Sequence, residues 1–198
     1  GRLPRADVPW AEASAKITTA PGGIGAHAAG AEVPTSPYKN LFRQGAVLAP
    51  RVCLFVTETS AGPLGAGAGR VAVVSHRSTL EKEPWKSLPS LQARVESRFV
   101  RPVYLGETIL PFRSVRPRKA VLPVMDELMS AEEIEQSPGL LSWWEPAEAA
   151  WEKDKPSQDR SRLLDRIDYH GQLSAQFPLA HRRVDSTKAR NTLAATVI

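Results

Sequence analysis

The most apolar stretch of the chain runs over residues 46–57, and within it Val52-Cys53-Leu54-Phe55-Val56 is short, β-branched and aromatic. Such a run, without polar alternation, predicts a strand buried on both faces, with Pro50 at its start. A glycine-rich connector over 61–69 separates it from a second apolar run, Val71 to Val74. The pair predicts an antiparallel hairpin with a long loop. Residues 94–104 alternate, with Val95, Phe99 and Val103 between charges, until Arg101-Pro102 interrupts. Gly106-Glu107 predicts a turn, and Thr108-Ile109-Leu110 and Ala120-Val121-Leu122-Pro123 predict further short strands. Prolines at 102, 111, 117 and 123 keep each piece short.

After Pro123 the spacing becomes helical. Ser130-Ala131-Glu132-Glu133 has the form of a capping box. Trp143, Trp144, Ala147, Ala150 and Trp151 share one helical face, and Pro146 is expected in the first turn of that helix. A polar break over 153–158 precedes Leu163, Leu164 and Ile167, the face of a second short helix, so a helical hairpin is expected. Near the start, Trp10, Ala13 and Ile17 predict a short amphipathic turn, and Pro21 to Ala26 a loop. The tail, Thr192 to Ile198, is apolar where it stops, which suggests a part of a larger protein. The expected fold is α+β: a mixed, mostly antiparallel sheet of short strands with a C-terminal helical hairpin. Residues 1–33 form a leading segment and 34–123 a strand-rich basic subdomain. Residues 124–198 form the helical hairpin plus a closing strand, packed as one domain with 34–123.

Composition narrows this reading. The 198 residues suit one domain or two small ones, and 42% apolar with 24% charged residues is ordinary globular usage. One cysteine excludes an internal disulfide framework. No apolar run approaches the roughly 20 residues that cross a bilayer, and no apolar signal core follows Gly1 to Arg5. A cytoplasmic location without a membrane partner is therefore expected. The net charge of +5 conceals strong blocks. Residues 84–120 carry 8 Lys/Arg against 2 Asp/Glu, whereas 121–160 carry 3 against 10. Six of the eight cations are arginines, which bind phosphates and guanine edges in a bidentate way. The plainer reading is that they pair with the adjoining acidic block.

Little of the remaining chemistry points to catalysis. His27, His76, His170 and His181 lack metal-ligand spacing, and Cys53 reads as a small core residue. Gly65, Gly67 and Gly69 precede a strand, where a phosphate loop must open a helix, so they read as hairpin connector. Asp126-Glu127 and Glu132-Glu133 could bind Mg²⁺, but no partner ligands are evident, and a solvated helix face is the simpler reading. The tryptophan face could stack bases, but at helical spacing it reads as core.

Several strings, in order, resemble one family. Ser36-Pro37-Tyr38, Phe42-Arg43-Gln44-Gly45-Ala46 and Pro50-Arg51 come first, followed by Glu83-Pro84-Trp85-Lys86. Then come Val95-Glu96-Ser97-Arg98-Phe99-Val100-Arg101-Pro102-Val103-Tyr104-Leu105-Gly106-Glu107, Leu110-Pro111-Phe112 and Val121-Leu122-Pro123. Trp143 to Trp151, Asp168-Tyr169, Leu173, Gln176 and Arg183-Val184 complete the series. Over about residues 34–198 the series resembles the region after the catalytic domain in adenine-specific DNA methyltransferases of bacterial restriction-modification systems. The family's glycine-containing S-adenosylmethionine motif and its Asn-Pro-Pro-Tyr-type tetrapeptide do not occur here. Asp185 and Arg190-Asn191 stand where the family has an apolar residue and a glycine. The resemblance implies the target-recognition part, with no cofactor of its own and no catalytic residue. S-adenosylmethionine would belong to the parent's catalytic domain, in the same or a partner chain.

Such a part must grip the phosphates of double-stranded DNA and read base edges. Arg94, Arg98, Arg101, Arg113, Arg116, Arg118 and Lys119 are the candidates. Of these, Arg113, Arg116 and Arg118 are the candidate base readers, in a proline-stiffened loop, and Gln44 and Arg51 are second choices. Two rivals stand beside this reading. One is a protein-interaction or structural module docking a partner on its acidic helices. The other is a nuclease or other enzyme using the carboxylate pairs.

Overall fold

The computed structural model describes residues 39–41, 43–62, 65–110, 113–179, 184–186 and 195–197. The amphipathic turn and loop expected before residue 33 lie outside them, as do Ser36-Pro37-Tyr38 and Pro111-Phe112. The chain divides into two units, residues 1–42 and 43–198. The described part of the first is a 3-10 turn, Lys39–Leu41.

In the second unit a segment without regular secondary structure, 43–49, leads into a helical turn, α1 (Arg51–Leu54), and then strand β1 (Phe55–Thr59). The sequence predicts strand from Val52, so its first residues are corrected to helix. The cause lies 30 residues away. Both carboxylate oxygens of Glu81 accept from backbone N–H groups, Arg51 N at 3.2 Å and Val52 N at 3.1 Å. These donors would be orphaned at a helix start, and a carboxylate satisfies both.

Strand β2 (Arg70–Ser75) pairs antiparallel with β1, as the two apolar runs predict. In their connector Gly65, Gly67 and Gly69 have φ of +68°, +93° and +69°, a region that penalises any Cβ. β3 (Gln92–Glu96), β4 (Val100–Val103) and β7 (Arg118–Val121) complete a five-stranded sheet of order β3-β2-β1-β7-β4, antiparallel throughout. Pro102 interrupts nothing, because β4 is an edge strand whose outer side needs no ladder donor. β5 (Ile109–Leu110) pairs with β6 (Arg113–Ser114), and β8 (Val184–Ser186) with β9 (Ala195–Val197).

Ser130 caps α2 (Ala131–Glu135) as predicted: Glu133 N donates to its Oγ at 3.3 Å, and Glu133 Oε2 accepts from Ser130 N at 2.7 Å. The main helix, α3, runs Pro138–Asp154. Pro138 holds the first-turn position expected of Pro146, and Pro146 lies in the helix interior, a second correction. A polar segment then leads to α4 (Leu163–Ile167).

Directly paired residues of an antiparallel ladder share a face. One face presents Val56, Val73, Ser75, Val95 and Val121, all buried. The four valines form a single core with Leu140, Trp143, Trp144, Ala147, Trp151, Leu163 and Ile167 from the helices. The tryptophan face is therefore core, as expected from its spacing. Each indole removes roughly 150–250 Å² from water, worth about 4–6 kcal/mol before side-chain entropy. Trp143 Nε1 also donates to Cys53 O at 2.9 Å, and Trp85 stacks on Trp151 with centroids 5.4 Å apart. Among the described residues no helix is long and apolar enough to cross a membrane.

Candidate nucleic-acid interface

The opposite face of the sheet carries Thr57, Thr59, Arg70, Ala72, Val74, Gln92 and Arg94 over β1 to β3, with Glu96 at its margin and the buried Phe55 and Ala120 where β1 meets β7. Thr57, Thr59, Arg70, Gln92 and Arg94 are exposed, and their alternation with buried neighbours is the half-covered pattern of an antiparallel sheet. Arg94 makes no ion pair or side-chain hydrogen bond among the described residues. Its position is fixed through its own backbone, since β3 lies against the start of α3. A Cβ on Gly139 would stand 2.7 Å from Arg94 O and 2.5 Å from Glu96 Oε2, so only glycine permits that approach. Glu96 completes the joint. Its Oε1 accepts from Gly139 N at 2.9 Å and its Oε2 from Leu140 N at 2.7 Å, and Arg70 Nη2 lies 3.1 Å from Oε1. Burial alone would push this carboxyl up. Its hydrogen bonds to backbone N–H groups and the Arg70 charge outweigh that and hold it below the ordinary value.

The other predicted residues are placed differently from one another. Arg116 is exposed in the 115–117 connector and, like Arg94, has no partner among the described residues. Arg98 is exposed with its guanidinium 4.8 Å from the Phe99 ring centroid. Lys119 pairs with Glu58 at 2.6 Å, and Arg118 with Glu107 at 3.5 Å. Arg101 donates to Val124 O at 2.9 Å and Met125 O at 3.4 Å, which ties β4 to the segment before α2. Arg113 stands opposite Leu110 in the β5–β6 ladder. Gln44 is exposed in the segment before α1. Arg51 opens α1, its guanidinium 3.7 Å from Glu107 and 5.8 Å from the Phe55 ring centroid.

The ion pairs bear on the plainer reading of the charge blocks. Among the residues whose side chains are described, which leaves out Arg113, no ion pair joins a cation of 84–120 to a carboxylate of 121–160. Glu148 and Glu152 pair with Arg162 and Lys155 of the helical layer. The described pairs of the basic block, Arg118 with Glu107 and Lys119 with Glu58, lie within the strand layer instead.

A cleft of about 300 Å³ opens beside β1 and β7, lined by Arg51, Phe55, His76, Arg77, Leu105, Glu107 and Arg118 among others. Charge counting over 84–120 misses His76 and Arg77. The period-2 rule could have found His76, which continues the outward series Arg70, Ala72, Val74. Arg77 donates from Nη1 to Leu88 O at 2.6 Å and from Nη2 to Lys86 O. Burial, and next the Arg118 charge, lower the His76 pKa. Cys53 is buried, and burial with the nearby Glu81 and Asp154 pushes its thiol up to about 12, consistent with a core residue. Among the described residues no group of three or more His, Cys, Asp or Glu side chains could hold a metal ion. Against known proteins, no family model, curated protein or solved structure matches this chain.

Proposed function

We propose that the chain is the DNA-binding, target-recognition part of an adenine-specific DNA methyltransferase of the restriction-modification type. Its open sheet face, the adjoining 115–117 connector and the start of β7 lie against duplex DNA, with Arg94, Arg116 and Arg118 on phosphates or base edges. A catalytic domain carrying S-adenosylmethionine, in the same or a partner chain, does the chemistry, and the setting is cytoplasmic. The observation that carries this reading is the missing cross-pairing: Lys86, Arg94, Arg98, Arg101, Arg116, Arg118 and Lys119 have no ion pair with the acidic helical layer among the described residues. Among the described residues Arg94 on the sheet face and Arg116 in the connector have no compensating carboxylate, an arrangement that suits a polyanionic partner better than packing against the chain's own acidic helices. For a polyanion they supply the non-specific attraction that precedes base reading.

The test is fluorescence anisotropy of a labelled duplex of about 20 base pairs at 50 mM salt. Reversal of both Arg94→Glu and Arg116→Glu is expected to weaken binding at least tenfold. Reversal of Glu132→Lys and Glu135→Lys on the helical layer should leave binding equal or tighter. Loss of binding from the helical-layer reversal alone would place the interface on the wrong layer and refute the reading.

A further inference from the structure

The cleft beside β1 and β7 has its own electrostatic logic. Arg51, Arg77 and Arg118 line it with His76, and Glu107 is the carboxylate among its lining residues. The Glu107 oxygens lie 3.7 Å from Arg51 Nη1 and 3.5 Å from Arg118 Nε. Both distances exceed the 2.7–2.9 Å of a charge-assisted hydrogen bond. Glu107 thus sits between two guanidinium groups without a full bond to either. The frame around it is firm. Thr108 is buried and closes the turn through Leu105 N and O, at 2.8 and 2.9 Å. Arg51 is held by its backbone bond to Glu81, and Arg77 by two loop carbonyls.

We infer that this cleft is a phosphoryl-binding site in which the Glu107 carboxylate occupies the place of the ligand's oxyanion. A phosphate carries two or more oxygens in the geometry that two guanidinium forks accept. Entering between Arg51 and Arg118, it displaces Glu107 toward solvent, where this side chain is already 38% exposed. Glu107 therefore acts as an internal competitor that weakens binding and keeps the empty site from collapsing in charge repulsion. The ligand class is a phosphate monoester or diester. This deepens the DNA reading and rests on it only for the diester source.

The experiment is calorimetric titration of the full chain with inorganic pyrophosphate, with amide NMR shifts recorded in parallel. Glu107→Gln should bind pyrophosphate about fivefold or more tighter than the parent. Arg118→Gln and Arg51→Gln should each weaken it about tenfold, with shifts centred on residues 51, 76–79 and 105–108. A thermal melt of each variant verifies folding. A duplex with 5′-hydroxyl ends then separates the sources. If it displaces pyrophosphate, the site takes backbone diesters. If it binds without displacing pyrophosphate, or does not bind, the site takes a free phosphoryl compound, and in the last case the DNA reading fails while the cleft stands. Absence of pyrophosphate binding in both parent and Glu107→Gln overturns the inference, as does weaker binding by Glu107→Gln.

Discussion

Removing the Glu96 carboxylate should loosen the joint between the basic strand layer and the helical layer. Glu96 accepts from the first free N–H groups of α3, Gly139 N and Leu140 N, and contacts Arg70. A lost N-terminal cap costs about 0.5–2 kcal/mol, and a carboxylate on the positive end of a helix adds about 0.3–1 kcal/mol. The Arg70 side chain is 38% exposed, so that pair adds no more than about 0.5 kcal/mol. Glu96→Ala should therefore destabilise by about 2 kcal/mol, and Glu96→Gln by about 1 kcal/mol, since the amide oxygen keeps one bond. For a chain of this size 1 kcal/mol moves the melting temperature by about 2–4 °C, so Glu96→Ala should melt about 4–8 °C lower. Tryptophan fluorescence is a suitable probe, because Trp143, Trp144 and Trp151 are buried in the same core. The folded carboxyl lies below its ordinary 4.5. Its contribution is complete above that pH and fades as the pH falls through the lowered folded value. The parent–variant gap should narrow as the pH falls below that ordinary value. A loss under about 1 °C at pH 7, or an undiminished gap at pH 3, would refute the capping argument.

Further outcomes follow from the same packing. Gly139→Ala should cost at least about 2 kcal/mol in urea unfolding, because its Cβ would meet backbone at Arg94 O as well as Glu96. Trp143→Phe should cost about 2–3 kcal/mol, from a smaller ring and from Cys53 O left without its donor. The Cys53 thiol, pushed up to about 12, should react with a disulfide reagent at pH 8 only as fast as the chain opens, so labelling rates should rise steeply with urea.

Short-range chemistry was legible in the sequence. The Ser130 capping box and the tryptophan face depend on residues within a few positions of one another, and the β1–β2 hairpin on two apolar runs that are neighbours in the chain, so local pattern reports them. What was not legible depends on partners far along the chain. Strand β1 starts late because Glu81 caps residues 51 and 52. Helix α3 starts early because Gly139 fits against β3 and Glu96 receives its first amides, 43 residues away. The candidate residues were legible as a basic block but not as a surface. Arg101 belongs to a backbone tether and Arg118 to a cleft with Arg77, because the 105–108 turn meets the end of β2. Only the folded register shows that Arg94 shares the open face with Thr57, Thr59 and Gln92.

The salt dependence of duplex binding tests the central claim most directly. With three to five phosphate contacts from the sheet face and connector, the log–log slope of affinity against salt should lie between about −2.7 and −4.5, and Arg94→Glu should reduce its magnitude by about 0.9. An affinity that does not change with salt, or no binding at 50 mM salt, would contradict the account.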